Sequence, residues 1–314
     1  MNNYMIDDTY FESKYKIIMK AYLARLIWLV CYSRNHSPLH ENVNKLNTEL
    51  IKITDPISDT EYKSFNQWSV ITRKIISNIK EKGIDNFLQW ECIKETMGEE
   101  NSSFLYKEYK YLKNNKLWKE IKDNITYPKV GNPLPFLGNI KLTGAIVHHS
   151  YCLVKFLDKS NLKINEIDNI FEFGGGYGNM CKTIHEIGFT GSYHIFDLEV
   201  MSAIQQYFLN SHRLNKVLLF HDPDKWESVL NTISGYKKNL FISTWSLSEC
   251  PLYIRKITRD HLHLFKYFLV GFQEEFGETN NILYFNEIKD NLEQVEWFEE
   301  IMPMLPKHHL LIGY

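Results

Sequence analysis

Residues 170–180 read Ile-Phe-Glu-Phe-Gly-Gly-Gly-Tyr-Gly-Asn-Met: an acid, four glycines within five positions, then the start of an apolar helical pattern. Glycine loses more backbone freedom on folding than any other residue, about 0.5–1 kcal/mol relative to alanine inside a regular element. Placed after an apolar run, such a cluster leaves bare main chain for a ligand to approach, and the helix that follows aims its free amides at it. Asp197 ends the next apolar run, Ser192–Leu198, where a carboxylate can accept from both vicinal hydroxyls of a ribose.

The spacing separates nucleotide ligands. A dinucleotide fingerprint needs G-x-G-x-x-G, and reading from Gly174 the third position falls on Asn179. This counts against a nicotinamide-dependent oxidoreductase. The pattern present is acid-x-G-x-G-x-G, formed by Glu172, Gly174, Gly176 and Gly178, with Gly175 and Tyr177 between them.

Further chemistry-bearing residues stand near the ends of later apolar runs. Asp222 closes Leu218–Asp222, where it either contacts a ligand or caps the helix after Pro223. Thr244 ends Leu240–Thr244 and is followed by Trp245-Ser246-Leu247-Ser248-Glu249. Glu249 is the first candidate for a base that takes a proton from an acceptor hydroxyl. His148 and His149 are the next; on a helix they lie about 100° apart, so at most one faces the acceptor. Glu274, Glu275, Asp222 and Asp224 are oxygen donors, but no spacing among them selects Mg²⁺, and no metal is expected. His261 and His263 fall on different faces of a helical pattern.

Two textures position these residues. From Tyr10 to Trp118 apolar residues recur at helical spacing, as in Trp68, Ile71, Ile75 and Ile79. Tyr127–Pro135, with three prolines and a glycine, interrupts the pattern and marks the boundary between a helical region, 1–130, and a second domain, 131–314. There short apolar runs alternate with helical stretches: Ile167–Phe173, Gly191–Leu198, Val217–His221, Leu240–Thr244 and Tyr267–Phe272 as strands. Met180–Ile187, Val200–His212, Asp224–Ile233 and Leu252–Leu264 are the intervening helices. That alternation predicts a parallel sheet covered on both faces, with ligands at the carboxyl ends of its strands.

On these residues the chain resembles the class I S-adenosylmethionine-dependent methyltransferases, whose first motif has the form of Glu172 to Gly178. More narrowly, it resembles the bacterial sugar O-methyltransferases. The features are Gly174–Gly178, Phe196-Asp197-Leu198, Gln205-Gln206-Tyr207-Phe208-Leu209, Trp245–Glu249, Val130-Gly131-Asn132-Pro133 and Leu310–Tyr314. The resemblance covers about 130–314 well and the helical half only vaguely.

It implies an α/β Rossmann-like sheet of seven mostly parallel strands, preceded by an α-helical region that shapes an acceptor pocket or a dimer contact. A terminal hairpin would lie in Gln294–Tyr314. It implies S-adenosyl-L-methionine bound by Glu172, Gly174, Gly175, Gly176, Tyr177, Gly178, Asp197, Leu198, Asp222 and Thr244, and O-methylation of a sugar or small polar metabolite in surface-glycan or natural-product synthesis. Two other classes stay open: a non-catalytic scaffold or sensor that keeps the cofactor pocket and, disfavoured by the missing third glycine, a nicotinamide-dependent oxidoreductase.

The whole chain is compatible with this. It has 314 residues, a net charge of −2 and 24% charged residues, so no excess of basic residues points to nucleic acid. The five cysteines include no C-x-x-C pair, which suits reduced thiols in a cytoplasmic protein. The first residues lack a signal-peptide pattern. Ile17–Val30 is apolar but interrupted by Lys20 and Arg25, so a buried or subunit-contacting helix is expected there rather than a membrane span.

Overall fold

The computed structural model describes residues 63–97, 101–233, 235, 237–303 and 305–314, and positions 19, 23, 26 and 27, which are helical. The expected dimer segment Ile17–Val30 otherwise lies outside the described residues; within it Met19, Leu23 and Leu26 are exposed.

Among the described residues from 63 onward, four helices come first: α1 (Lys63–Lys82), α2 (Glu91–Met97), α3 (Ser103–Asn114) and α4 (Lys116–Ile121). Ile71, Ile75 and Ile79 recur one helical turn apart and are all buried, so α1 owes its position to one apolar stripe. Residues 125–134 form no helix or strand. The Leu88 amide donates to the Gly131 carbonyl at 3.1 Å, and the Tyr127 hydroxyl to the Pro133 carbonyl at 2.6 Å. A hairpin, β1 (Pro135–Phe136) with β2 (Asn139–Thr143), leads into α5 (Gly144–Ser160).

The sheet domain continues with β3 (Asn169–Phe173), α6 (Asn179–Glu186), β4 (Ser192–Phe196), α7 (Glu199–Ser211), β5 (Leu218–Phe220), α8 (Trp226–Ile233) and β6 (Asn239–Thr244). It ends with α9 (Ser246–Glu249), α10 (Leu252–His261), β7 (Tyr267–Gln273), the small hairpin β8 (Glu275–Phe276) and β9 (Thr279–Asn280), α11 (Asn281–Asn291), β10 (Trp297–Ile301) and β11 (His308–Gly313). The seven-stranded sheet has the order β10-β11-β7-β6-β3-β4-β5. β11 alone runs against the other six strands. The β10–β11 pair is the terminal hairpin expected from the resemblance. The small hairpins and α11 were not among the expected elements.

Strand order reverses at β3, which pairs with β4 on one side and β6 on the other. That is the switch point at which open α/β sheets leave a crevice beyond the strand ends. β3 is buried throughout, as a central parallel strand must be. Its alternation sends Ile170 and Glu172 to one face and Phe171 and Phe173 to the other. The Phe171 face packs on Trp226, Leu230, Ile254 and Phe285, from α8, α10 and α11. The Ile170 face shares its core with α5, α6, α7 and the early helices, through residues such as Phe87, Leu105, Leu112 and Phe156.

Helix α5 starts where the Thr143 hydroxyl accepts from the Ile146 amide at 3.2 Å. It ends at Asn161, whose φ of 52° is the left-handed cap conformation that asparagine tolerates better than most residues. Thr143→Ala should lower stability by about 1 kcal/mol and the melting temperature by about 2–4 °C, and Thr143→Ser should restore most of it. Thermal unfolding of the three proteins checks this.

Candidate functional site

The chain leaves β3 in a turn that needs glycine. At Gly174 φ is +73°, and a side chain there would collide with Cβ and Oγ of Ser246. Gly176 and Gly178 also have positive φ, of 56° and 97°. A Cβ on Gly175 would meet Ile195 at 2.7 Å and Glu172 Oε2 at 3.1 Å, so the turn lies directly on the Glu172 carboxylate. Gly178 is the N-cap of α6.

Two acids flank this loop. Glu172 is buried and accepts a hydrogen bond from the Tyr193 hydroxyl at 2.8 Å. Burial pushes its carboxyl up to about 8, against the lowering effect of that bond, and nearby Asp197 adds to the rise. Asp197, half-buried one residue past β4, accepts from the amides of Gly176 at 3.0 Å and Leu198 at 2.8 Å, and from Gln205 Nε2 at 2.8 Å. Even with those donors, burial raises its carboxyl to about 7. Gln205 Nε2 also donates to the Gly176 carbonyl at 2.8 Å, tying α7 to the loop. Among the described residues neither acid has an ion-pair partner.

A second group lies at the end of β6. Trp245, the residue after Thr244, has φ +70°, which is costly for a bulky side chain and marks a segment held by its surroundings. Its amide donates to the Gly271 carbonyl at 2.7 Å, and its indole N–H to His308 Nδ1 at 2.8 Å. The indole ring lies 4.9 Å from the His148 imidazole at 32°. His148 Nδ1 is 2.9 and 3.0 Å from the two oxygens of Glu108, a buried residue of α3. Ser246 Oγ donates to the Phe173 carbonyl, so the loops after β3 and β6 are joined across the switch point.

The other sequence candidates are placed as follows. His149 Nδ1 accepts from Asn179 Nδ2 at 3.0 Å, and burial, helped by His148, lowers its pKa to about 3. Glu249 accepts from Gln273 Nε2 at 3.2 Å and from the Trp68 indole of α1; burial raises its carboxyl. Tyr177 is turned into the core, 5.8 Å from the ring of Phe87 and 4.9 Å from that of Phe208. Leu198 is the half-buried N-cap residue of α7. Asp222, one strand farther out after β5, accepts from the Asp224 amide at 3.0 Å and caps a 3-10 turn. Thr244 is half-buried at the end of β6. Glu172, Gly174–Gly178 and Asp197 thus form one group, and His148 with Trp245 another.

Glu108, His308, Tyr193 and Asn179 escaped the sequence reading. Tyr193 had a signal: strand alternation places it on the same face as Glu172 one strand over. Glu108 had none, because it reaches His148 through the packing of α3 on α5. Among the described residues no three His, Cys, Asp or Glu side chains gather as a metal site, and no helix is long and apolar enough to cross a membrane.

Strand order, the antiparallel β11 and the glycine loop after the central strand make this a Rossmann-like α/β fold, built on a seven-stranded, mostly parallel sheet. No protein-family model and no curated protein matches the chain. Solved structures do. Fibrillarin, a pre-rRNA processing protein of Methanococcus jannaschii, aligns over 48% of this chain and 68% of its own, at 14% identity and TM-score 0.36. Aeropyrum pernix fibrillarin, solved with natively bound S-adenosyl-L-methionine, aligns over 49% and 69%, at 15% identity and TM-score 0.35. Magnesium protoporphyrin IX methyltransferase from Synechocystis PCC 6803, with bound cofactor, aligns over 67% and 91%, at 10% identity and TM-score 0.39.

Proposed function

We propose that this chain is an S-adenosylmethionine-dependent O-methyltransferase, working in the cytoplasm on a sugar or sugar-like acceptor in surface-glycan or natural-product synthesis. The observation that carries the cofactor is the pair of acids around the glycine loop, Glu172 buried and Asp197 half-buried. Glu172 and Asp197 are held up to about 8 and 7, with no cation beside them among the described residues. A ligand bearing an ammonium and a sulfonium supplies the missing charge. When bound, it brings a methyl group attached to a positively charged sulfur.

Each residue then has a task that its contacts support. The Glu172 carboxylate faces the cationic end, with Tyr193 fixing its rotamer. Asp197 spends three acceptor positions on Gly176, Leu198 and Gln205, which leaves one, on Oδ1, for a ribose hydroxyl. The loop between β3 and α6 admits the ligand because no side chain stands on Gly174–Gly176. Holding donor and acceptor in line contributes most of what a methyl transfer needs. The acceptor side belongs to Trp245, His148 and the early helices; the sugar assignment rests on the sequence resemblance, and fold does not dictate substrate.

Isothermal titration decides the cofactor. We expect heat with S-adenosylhomocysteine and none with NAD, and an affinity at least about tenfold weaker in Asp197→Ala, since a hydrogen bond to a charged group contributes about 1.5–3 kcal/mol. Heat with NAD alone would reverse the assignment. Mass analysis of glycan precursors incubated with labelled cofactor then reads whether the methyl lands on oxygen.

A further inference from the structure

We propose that Glu108 and His148 form a dyad that removes the proton of the acceptor hydroxyl, so that the early helices supply part of the reaction centre; this rests on the methyl-transfer reading above. Both oxygens of Glu108 approach His148 Nδ1, at 2.9 and 3.0 Å, and the Glu108 side chain is 0% exposed. A carboxylate only accepts, so Nδ1 carries the proton that faces Glu108, and the tautomer this selects has its lone pair on Nε2. Among the described residues Nε2 has no hydrogen-bond partner, although only 14% of the side chain is exposed.

The ring is also held in plane. Phe104 of α3 meets it edge-on at 5.6 Å, and Trp245 covers it at 4.9 Å. Trp245 follows β6 directly, and Ser246 packs against Gly174, which puts the dyad beside the switch point where the glycine loop begins. The titratable groups around His148 are Glu108 from α3, His149 from α5 itself and His308 from β11. His308 Nδ1 is occupied by the Trp245 indole. His149, lowered to about 3, is too weak a base, and its Nδ1 is taken by Asn179. The oxygens of Glu249 already accept from Gln273 and Trp68.

The step balances. The hydroxyl proton passes to Nε2, an oxygen lone pair forms the new bond to the methyl carbon, and the carbon–sulfur pair returns to sulfur. The Glu108 carboxylate holds the imidazolium until water takes its proton. Glu108 is a positioning residue, whereas His148 touches the reacting proton.

The test uses the full chain, S-adenosylmethionine and a panel of methyl and p-nitrophenyl glycosides, reading release of S-adenosylhomocysteine. His148→Asn keeps an amide donor for Glu108 and should lower kcat by about 10²- to 10⁴-fold, the range of a positioned base, with S-adenosylhomocysteine affinity unchanged by calorimetry. Glu108→Gln should lower kcat by about tenfold or more without moving the acceptor KM. In ¹⁵N-histidine spectra it should turn His148 from a single Nδ1-protonated form into a tautomer mixture. A His148→Asn protein within about threefold of wild type, a larger loss in Glu249→Gln than in His148→Asn, or an unchanged His148 spectrum in Glu108→Gln would overturn the dyad. The spectrum needs no cofactor, so it still tests the dyad if no S-adenosylhomocysteine binds, an outcome that removes the methyl-transfer reading instead.

Discussion

S-Adenosylmethionine should bind about 10- to 100-fold more tightly at pH 8 than at pH 6, with protons released into the buffer as it does so. The cause is the pair of acids that burial has pushed upward, Glu172 to about 8 and Asp197 to about 7. At pH 6 both are mostly neutral in the free protein. A cationic ligand favours their charged forms, so binding at that pH must expel protons, which weakens it. Raising the pH through 7 and 8 removes that cost, because the carboxylates are by then ionised before the ligand arrives. The sign follows from the raised values; acids held low by existing cations would show a flat profile.

Calorimetry in buffers of different ionisation heats reads both the affinity and the protons. Glu172→Gln should flatten the upper part of the rise, near pH 8, and leave the part near pH 7 that belongs to Asp197. S-Adenosylhomocysteine, which lacks the sulfonium charge, should show a shallower rise than S-adenosylmethionine. A pH-independent affinity for S-adenosylmethionine would show that no cation enters beside Glu172 and no hydroxyl donor reaches Asp197.

The part of this arrangement visible in the sequence is the part made by local rules. The succession of apolar and helical runs, with the glycine spacing, puts Glu172 and Asp197 at the ends of the first two strands of the sheet domain. The terminal hairpin came from the family resemblance instead, which implies its last strand at Leu310–Gly313. What stayed hidden depends on packing between distant segments. Glu108 is one acid on an otherwise ordinary amphipathic helix, and only the packing of α3 against α5 brings it to His148. Tyr177 sits inside the glycine motif, yet its ring leaves the loop for Phe87 and Phe208; the motif specifies backbone there, and tertiary contacts choose the side chain's direction. Trp245 could be quoted from the sequence, but its φ of +70° and its stacking on His148 are products of the folded site.

Arg255→Met should cost about 3–5 kcal/mol, since it strands several buried acceptors at about 1–3 kcal/mol each with partial relaxation. For a domain of this size that is a fall of about 6–20 °C in melting temperature. Arg255 is 1% exposed on α10. Its guanidinium donates to the Cys250 carbonyl at 2.8 Å, to Asn281 Oδ1 at 2.6 Å and to the Ser248 carbonyl. Those acceptors sit at the end of α9 and the start of α11, so one fork fixes the segment that follows Trp245. Methionine fills similar volume but donates nothing, leaving two main-chain carbonyls and an amide oxygen in the interior without partners. Ser248 in turn donates to Gln273, and Gln273 to Glu249; loosening the first link loosens the rest. The same variant should therefore weaken cofactor affinity, since Ser246 at the head of α9 packs on Gly174. Arg255→Lys keeps the charge but presents its donors from one point rather than a planar fork, so it should recover less than half of the loss. Thermal unfolding with and without S-adenosylhomocysteine measures both effects, and a methionine variant as stable as wild type would show that the fork carries none of this segment's order.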